Sequence, residues 1–425
     1  MTLPLSAVAK APFFASLPAG LAPQAAPLYP EIGILSLPPE PWSEHWTARH
    51  HILMRLCKYF HVIWINPALG WSSILSSRPT GPVEWPEPPK ATGFTHLDSG
   101  LSIFNPGLWL PGVWRSTLLA ESLLRARLAI PARRLKKLGC SKIVLQLWRP
   151  VQSPAVRLFK PDLSCYHIDD EYNFSPIEMP LDRRERDLIT KVDQVFICSE
   201  SMYHKKGGIN PNSALIPNGV DYKAFSARHG EPEDLRPIPH PRVGYVGVIK
   251  KQIDLPMLAS VSAAMPGHQF VLVGPIGNVE GSEAALTALR ARPNVHFLGS
   301  KPAHSLPGYV QHMDVCLMCY CVDGYTKFIS PLKVNEYLAS GKPVVGAPIE
   351  PLVPYADLIR IASTPEEWIK GIEDCLKPES LAATEIEKRR LRAQAVDWEG
   401  IVGRIASVLR DRLAPAPVSQ EAPVR

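Results

Sequence analysis

The feature that most constrains this chain is a regular alternation of short apolar runs with amphipathic stretches, and the alternation occurs twice. In the first half the apolar runs are "EIGILSL" (31–37), "HVIWIN" (61–66), "LSIFNP" (101–106), "KIVLQLW" (142–148), "LSCYHID" (163–169) and "QVFICS" (194–199). Helix-period segments lie between most of them, at 44–59, 114–138 and 181–191. Strands that alternate with helices pair in parallel, each helix serving as the crossover. Their near-continuous apolar character fits sheets covered on both faces. A proline-rich stretch, "EPEDLRPIPHP" (231–241), then reads as a linker. The rhythm resumes with "RVGYVGV" (242–248), "QFVLVG" (269–274), "VHFLG" (295–299), "DVCLMCY" (314–320) and "PVVGAP" (343–348). Gly247, Gly274 and Gly299 close strands of this second half, where a doubly wound sheet makes tight turns and admits a ligand to the backbone.

A length of 425 residues exceeds one ordinary core and agrees with two domains. The expected division is a disordered segment at 1–30, a Rossmann-like domain at 31–230, the linker at 231–241, a second Rossmann-like domain at 242–364, helices at 365–412 and a disordered tail at 413–425. The disorder rests on proline, whose 45 residues are about twice ordinary usage and gather in the first thirty residues, at 79–89 and in the tail. No apolar window is long enough to span a bilayer, and the N-terminus lacks the apolar core of an export signal, so the expected compartment is the cytoplasm. The net charge of +6 is modest, and no aromatic-basic strand motif accompanies it, which argues against nucleic acid as a partner. Cys316, Cys319 and Cys321 fall on a hydrophobic strand without the loop or fourth ligand of a metal site, so they read as buried thiols and no metal site is expected.

The segment "SPLKVNEYLASGKPVV" (330–345) carries the chemistry. Ser330 reads as an N-cap, Pro331 as the first helical residue and Gly341 as the stop. Lys333 then stands in the first turn, where the helix dipole already places positive charge and favours Asp or Glu. An anion at the helix mouth accounts for it, since free N–H groups and a lysine together bind phosphate. Glu336 lies one turn deeper on the same face and can accept hydrogen bonds from two ribose hydroxyls. The pair therefore fits a nucleotide diphosphate; a Lys–Glu pair on a solvated helix face fits the same spacing.

This block resembles the nucleotide-sugar site of GT-B glycosyltransferases, in particular glycosyltransferase family 4 and the teichuronic-acid-type transferases of bacterial surface polysaccharides. "LIPNGVDYKAF" (215–225), "VGYVGVIKKQIDLPML" (243–258) and "VHFLGSKPAHSLPGYVQHMDVCLMCY" (295–320) are similar to further segments of that family. The resemblance implies an α/β GT-B fold, two Rossmann-like domains with parallel sheets facing across a cleft. It also implies a UDP- or GDP-linked sugar as donor substrate, with no separate cofactor, and a saccharide or lipid-linked acceptor. Ser330, Pro331 and Lys333 would face the diphosphate, Glu336 the ribose, and Lys250 and Lys251 the phosphates, with Gly247 letting their loop approach. One position departs: retaining members carry a Glu eight residues before the ribose carboxylate, and here that position is Phe328.

Transfer to a hydroxyl needs stabilisation of the leaving diphosphate and, for an inverting route, a base. Asp169 and Asp170 end a first-half strand in "HIDDEY" (167–172), a block similar to the relatives' Asp-Asp segment, and are the candidate bases; a turn cap is the plainer role for such residues. Arg49, His50 and His51 are acceptor-side candidates, whereas His167 reads as a satisfied core histidine. Residues 114–137 hold seven Arg or Lys and one Glu after the Trp-rich "NPGLWLPGVW" (105–114), so a peripheral contact with an anionic membrane surface stands beside a solvated crossover helix in which Pro131 makes a kink or split. A nucleotide-sugar epimerase on the same architecture, and a binding protein without catalysis, remain open alternatives.

Overall fold

A computed structural model describes residues 26–43, 46–70, 91–112, 117–172 and 175–414. The first sheet contains β1 (Ile32–Leu37), β2 (His61–Ile65), β3 (Gly93–His96), β4 (Ser102–Asn105), β5 (Lys142–Leu147), β6 (Leu163–Ile168), β7 (Gln194–Ile197) and β8 (Ser213–Leu215). Their spatial order is β3-β4-β2-β1-β5-β6-β7-β8, parallel throughout except for the antiparallel β3–β4 pair at one edge. The second sheet contains β9 (Arg242–Val246), β10 (Gln269–Val273), β11 (Val295–Gly299), β12 (Val315–Met318), β13 (Val344–Gly346) and β14 (Arg360–Ile361). Its order is β11-β10-β9-β12-β13-β14, all parallel. Strand order reverses between β1 and β5 in one sheet and between β9 and β12 in the other. Crevices form beyond the carboxyl ends of such strands, which are the ends that carry the residues singled out above.

Most of the apolar runs fold as expected because they are buried on both faces, the central strands β5, β6, β7 and β12 nearly completely, while β11 at a sheet edge is half-buried. The strands that sequence reasoning missed are edge elements with weak patterning: β3, β8 and the two exposed residues of β14. One alternative of an expectation fails. Pro131 does not split its segment; helix Thr117–Lys137 runs through it. Leu128, Ala132 and Leu135 are buried in the core on either side of the proline, and this packing offsets the roughly 3 kcal/mol of the missing bond and ring clash. Gly33 on β1 helps, because a Cβ there would lie 2.6 Å from a Leu135 methyl.

The boundary between domains falls earlier than 231. Val220 and Phe225 already belong to the core of the second domain, as do Leu235 and Ile238 in the proline-rich stretch, which is packed although it forms no helix or strand. The chain crosses between the domains at 216–221 and recrosses at 395–398, and the two crossings run side by side: the Val220 N–H donates to the Val396 carbonyl and the Trp398 N–H to the Val220 carbonyl. Gly219 permits this contact, since a Cβ there would stand 2.7 Å from the Val396 carbonyl oxygen. The expected C-terminal helices are accordingly divided. Helices Pro365–Cys375 and Ala383–Gln394 pack on the second domain, while Trp398, Ile401, Val402, Ile405 and Leu409 of the last helix, Trp398–Leu413, complete the core of the first.

The expected disordered segments 1–30 and 413–425, and the proline cluster at 79–89, lie mostly outside the described residues. Within them, the N–H groups of Leu28 and Tyr29 pair with the carbonyls of Lys58 and Tyr59, and Leu413 ends a helix.

Candidate active site

On the second domain the site is built around helix Leu332–Ala339, which follows β12. The helix begins one residue later than the sequence implies. Pro331 occupies the N-cap position, and Ser330 turns toward the first domain, its Oγ accepting from the Asn218 N–H (3.3 Å) and its carbonyl from the Asn218 side-chain amide (2.8 Å). Ser330 is therefore a tie between domains, and the helix mouth has no side-chain cap, which leaves its first N–H groups for another acceptor. Tyr337 fixes the helix to the sheet, its hydroxyl accepting from the Val246 N–H at 3.0 Å.

Lys333 points along the end of β9, with Nζ 5.7 Å from the Tyr245 ring centroid. It fits because residue 247 is glycine: a Cβ there would overlap the Lys333 side chain at Cε, with Nζ 2.7 Å away. Gly247 also adopts φ +150°, and Gly274, at the end of β10, adopts φ +140° and faces the Gly247 carbonyl so closely that a Cβ would strike it. Three strand ends and one helix mouth thus converge on a cradle bordered by backbone and a single ammonium group. Glu336 lies one turn in, half-buried. Burial pushes its carboxyl up and Lys333 opposes the shift. Lys250 reaches toward the opposite domain. Lys251 does not join the site; its side chain is exposed and its N–H pairs with the Asn278 carbonyl.

Across the cleft, the carboxyl end of β6 presents the two aspartates in different states. Asp169 is fully engaged, with Oδ2 2.5 Å from Arg49 Nη2, Oδ1 3.3 Å from Arg149 Nη1, and the Tyr172 hydroxyl 2.8 Å from Oδ1. Arg49 is held in turn by Glu40 at 2.6 Å, and Arg149 sits over the Tyr172 ring at 4.2 Å. Asp170 faces the second domain. The Tyr325 hydroxyl lies 2.9 and 3.0 Å from its two oxygens, and the Glu171 N–H donates to Oδ1 at 2.9 Å. Burial and the neighbouring Asp169 raise the Asp170 carboxyl above its ordinary 3.8, while Tyr325, Lys250 and Arg149 pull it down. Of the acceptor-side candidates only Arg49 enters this network. His50 packs among Trp42, Trp46 and Trp64, and His51 stacks on Trp398. His167 stacks on Trp148 at 4.5 Å and burial lowers it to about 4, but its Nδ1 has no hydrogen-bond partner, so it is not the satisfied histidine the sequence implies.

Phe328 stands in a role of its own. It is buried within the first domain's core cluster, Lys205 lies over its ring at 4.5 Å, and its carbonyl accepts from the Ser199 hydroxyl at 2.8 Å. A carboxylate at that depth would be desolvated; a phenyl ring joins the two domains. Cys316 and Cys319 are buried, and among the described residues no group of His, Cys, Asp or Glu is placed to hold a metal. Sequence reasoning missed Tyr325, Arg149 and Tyr172. The first lies in a loop without periodicity, and the other two carry no motif beyond standing near strand ends.

Residues 240–377 match the family described as "Glycosyl transferases group 1". That match lies within the second domain. Among curated proteins the chain is 28% identical over 231 residues to the Bacillus subtilis (strain 168) protein described as "Putative teichuronic acid biosynthesis glycosyltransferase TuaH", an alignment covering 51% of this chain and 57% of that protein. Solved structures share the whole architecture. Sucrose-phosphate synthase from Thermosynechococcus elongatus superposes with a TM-score of 0.64 at 16% identity, covering 89% of this chain and 98% of that one. Anabaena Alr3699/HepE, solved in complex with UDP and glucose, gives 0.62 at 15% identity, covering 89% and 99%. The fold is therefore GT-B, as the resemblance implied.

Proposed function

We propose that this chain is a glycosyltransferase that moves a sugar from a nucleotide diphosphate sugar to a hydroxyl acceptor. The observation that carries the reading is the uncapped helix mouth with Lys333 lodged against Gly247 and Glu336 one turn in, together with Asp170 of the first domain held by Tyr325 of the second. The diphosphate meets Lys333 and the first N–H groups of helix Leu332–Ala339, and the ribose hydroxyls donate to Glu336. As the bond from the anomeric carbon to the phosphate oxygen breaks, its electron pair goes to the leaving diphosphate, where Lys333 and the helix terminus stabilise the charge; no metal or separate cofactor enters this reading. Asp170 takes the acceptor hydroxyl's proton as that oxygen attacks the anomeric carbon, with inversion. Asp169 serves as the anchor that fixes Arg49, Arg149 and Tyr172 around it. The solved Anabaena relative contains UDP and glucose, which favours a UDP-linked donor, with GDP as the other choice.

The relative named for teichuronic acid biosynthesis supports an acceptor in bacterial polysaccharide or glycolipid assembly. Among the described residues no helix is long and apolar enough to cross a membrane. A peripheral contact is supported instead by exposed Leu108, Trp109, Leu118 and Leu119 beside the Arg- and Lys-rich helix Thr117–Lys137. Turnover of UDP- and GDP-sugars by the purified chain tests the main reading. Release of nucleotide diphosphate only when an acceptor is supplied upholds transfer, whereas conversion of the donor alone marks an epimerase, and binding without turnover over a broad acceptor panel marks a non-catalytic relative.

A further inference from the structure

The second domain holds another charged cavity, at the far end of the same helix. It is an open pocket of about 370 Å³ between the C-terminal end of helix Leu332–Ala339, the start of helix Ala383–Gln394 and the segment 226–228. Its charged lining is Arg228, Lys342 and Arg390, with no carboxylate. Several other cations of this domain are paired: Arg242 with Glu231, Lys301 with Asp234, and Lys377 with Asp374. Arg389, the next residue to Arg390, is spent on the Gly341 carbonyl and the Ser380 hydroxyl. By contrast, no ion pair or side-chain hydrogen bond joins Arg228, Lys342 or Arg390 to another described residue, and the buried Nε of Arg390 has no partner. Asp314 is the carboxylate that acts on Lys342, and it is already committed at 2.6 Å to both His240 Nδ1 and the Arg242 N–H. Cations gathered without an anion repel one another, and the half-buried Lys342 and Arg390 also carry an unpaired desolvation cost, unless a ligand supplies the charge.

The neutral lining says which kind of anion fits. Gln311 is fully occupied, its amide donating to the Phe225 and Ala227 carbonyls and its oxygen accepting from the His229 N–H, so it walls the cavity without competing for the ligand. The Ser226 hydroxyl is unassigned and available as a further donor. Two guanidinium forks, an ammonium group and a hydroxyl match the oxygens of a dianionic phosphoryl group better than those of a carboxylate. The volume exceeds that of one phosphate and leaves room for a small organic body. We infer that this cavity is a second anion site, separate from the nucleotide site, that binds the phosphoryl group of a small phosphorylated molecule.

The test is a calorimetric titration of the full chain at low ionic strength with inorganic phosphate and, in parallel, with glucose 6-phosphate. Wild type is compared with Lys342→Gln, Arg390→Gln, Arg228→Glu and Lys333→Ala. Arg228 is exposed, so reversing its charge leaves folding intact even where the half-buried positions do not tolerate change. Saturable binding that weakens at least tenfold in the cavity variants and survives in Lys333→Ala upholds the inference. Tighter binding of the ester than of phosphate assigns an ester as occupant, and the reverse assigns the free ion. Absence of saturable binding overturns the site, as does an affinity unchanged in Arg228→Glu or lost only in Lys333→Ala, which would put the anion at the helix mouth. UDP titrated against the same variants reads the nucleotide site independently, so failure of one site is distinguishable from failure of the other.

Discussion

Replacing Gly247 by alanine adds a single methyl group and leaves every charged residue of the site in place. Its effect follows from geometry. The new Cβ would occupy the space of the Lys333 side chain, and the position's φ of +150° is one that L-residues rarely adopt. Backbone strain of this kind costs about 1–3 kcal/mol and falls on stability. Displacing Lys333 removes a charge-assisted contact to the diphosphate worth ~1.5–3 kcal/mol, or roughly ten- to a hundredfold in nucleotide affinity. The assay is a double-mutant cycle by isothermal titration with UDP and GDP, using Gly247→Ala, Lys333→Ala and the pair. If the glycine exists to seat the lysine, the double variant should bind about as weakly as Lys333→Ala alone, giving strong non-additivity. Wild-type affinity in Gly247→Ala, or losses that simply add, would refute the reasoning.

Further outcomes are expected. Glu336→Ala should lose ~1.5–3 kcal/mol of donor binding, and an unchanged dissociation constant would remove the ribose contact. The raised Asp170 carboxyl stays protonated to higher pH than a free aspartic acid, so the acid limb of the rate profile should lie above 3.8; Tyr325→Phe, by deleting a bond that favours the carboxylate, should move that limb further up. By the same sign, ionised Asp170 costs stability at neutral pH and that cost vanishes below both pKa values, so Asp170→Asn should raise the neutral-pH melting temperature while abolishing turnover. Phe328→Ala should cost about 3–5 kcal/mol in chemical denaturation, because the ring is buried between domains; a negligible loss would return the position to the cleft. Sedimentation with anionic vesicles at low salt should carry the chain down, and substitution of Trp109 and Leu118 by serine should release it; no binding by wild type would end the peripheral-membrane proposal.

Periodicity made the two sheets legible because nearly every central strand is buried on both faces and so reads as an unbroken apolar run. Edge strands β3, β8 and β14 stayed hidden for the converse reason: a partly exposed strand needs no such run. The helix that carries Lys333 and Glu336 was readable because one contiguous segment builds it, with the two residues related by a helical turn. Ser330 was misassigned by one position, since its partner Asn218 is 112 residues away and leaves no mark on local capping chemistry. The network around Asp169 and Asp170 assembles from residues 40, 49, 149, 172 and 325, which come from separate elements of both domains and leave no local pattern. Pro131 misled as to a split because its propensity is local, whereas the packing that overrides it comes from β1 and from the helix Pro154–Phe159. The proline-rich stretch at 231–241 misled in the same way, because the crossing it was taken for lies at Val220 and Val396.

The last helix has a consequence for how the chain is made. Side chains as late as Leu409 close the interior of the domain that begins near residue 28. A ribosome that has released the N-terminal sheet has not yet supplied its missing wall, so that domain waits, with apolar surface uncovered, through synthesis of the whole second domain. The later-encoded half finishes first, and a chain shortened before Trp398 leaves its older half unfinished for good.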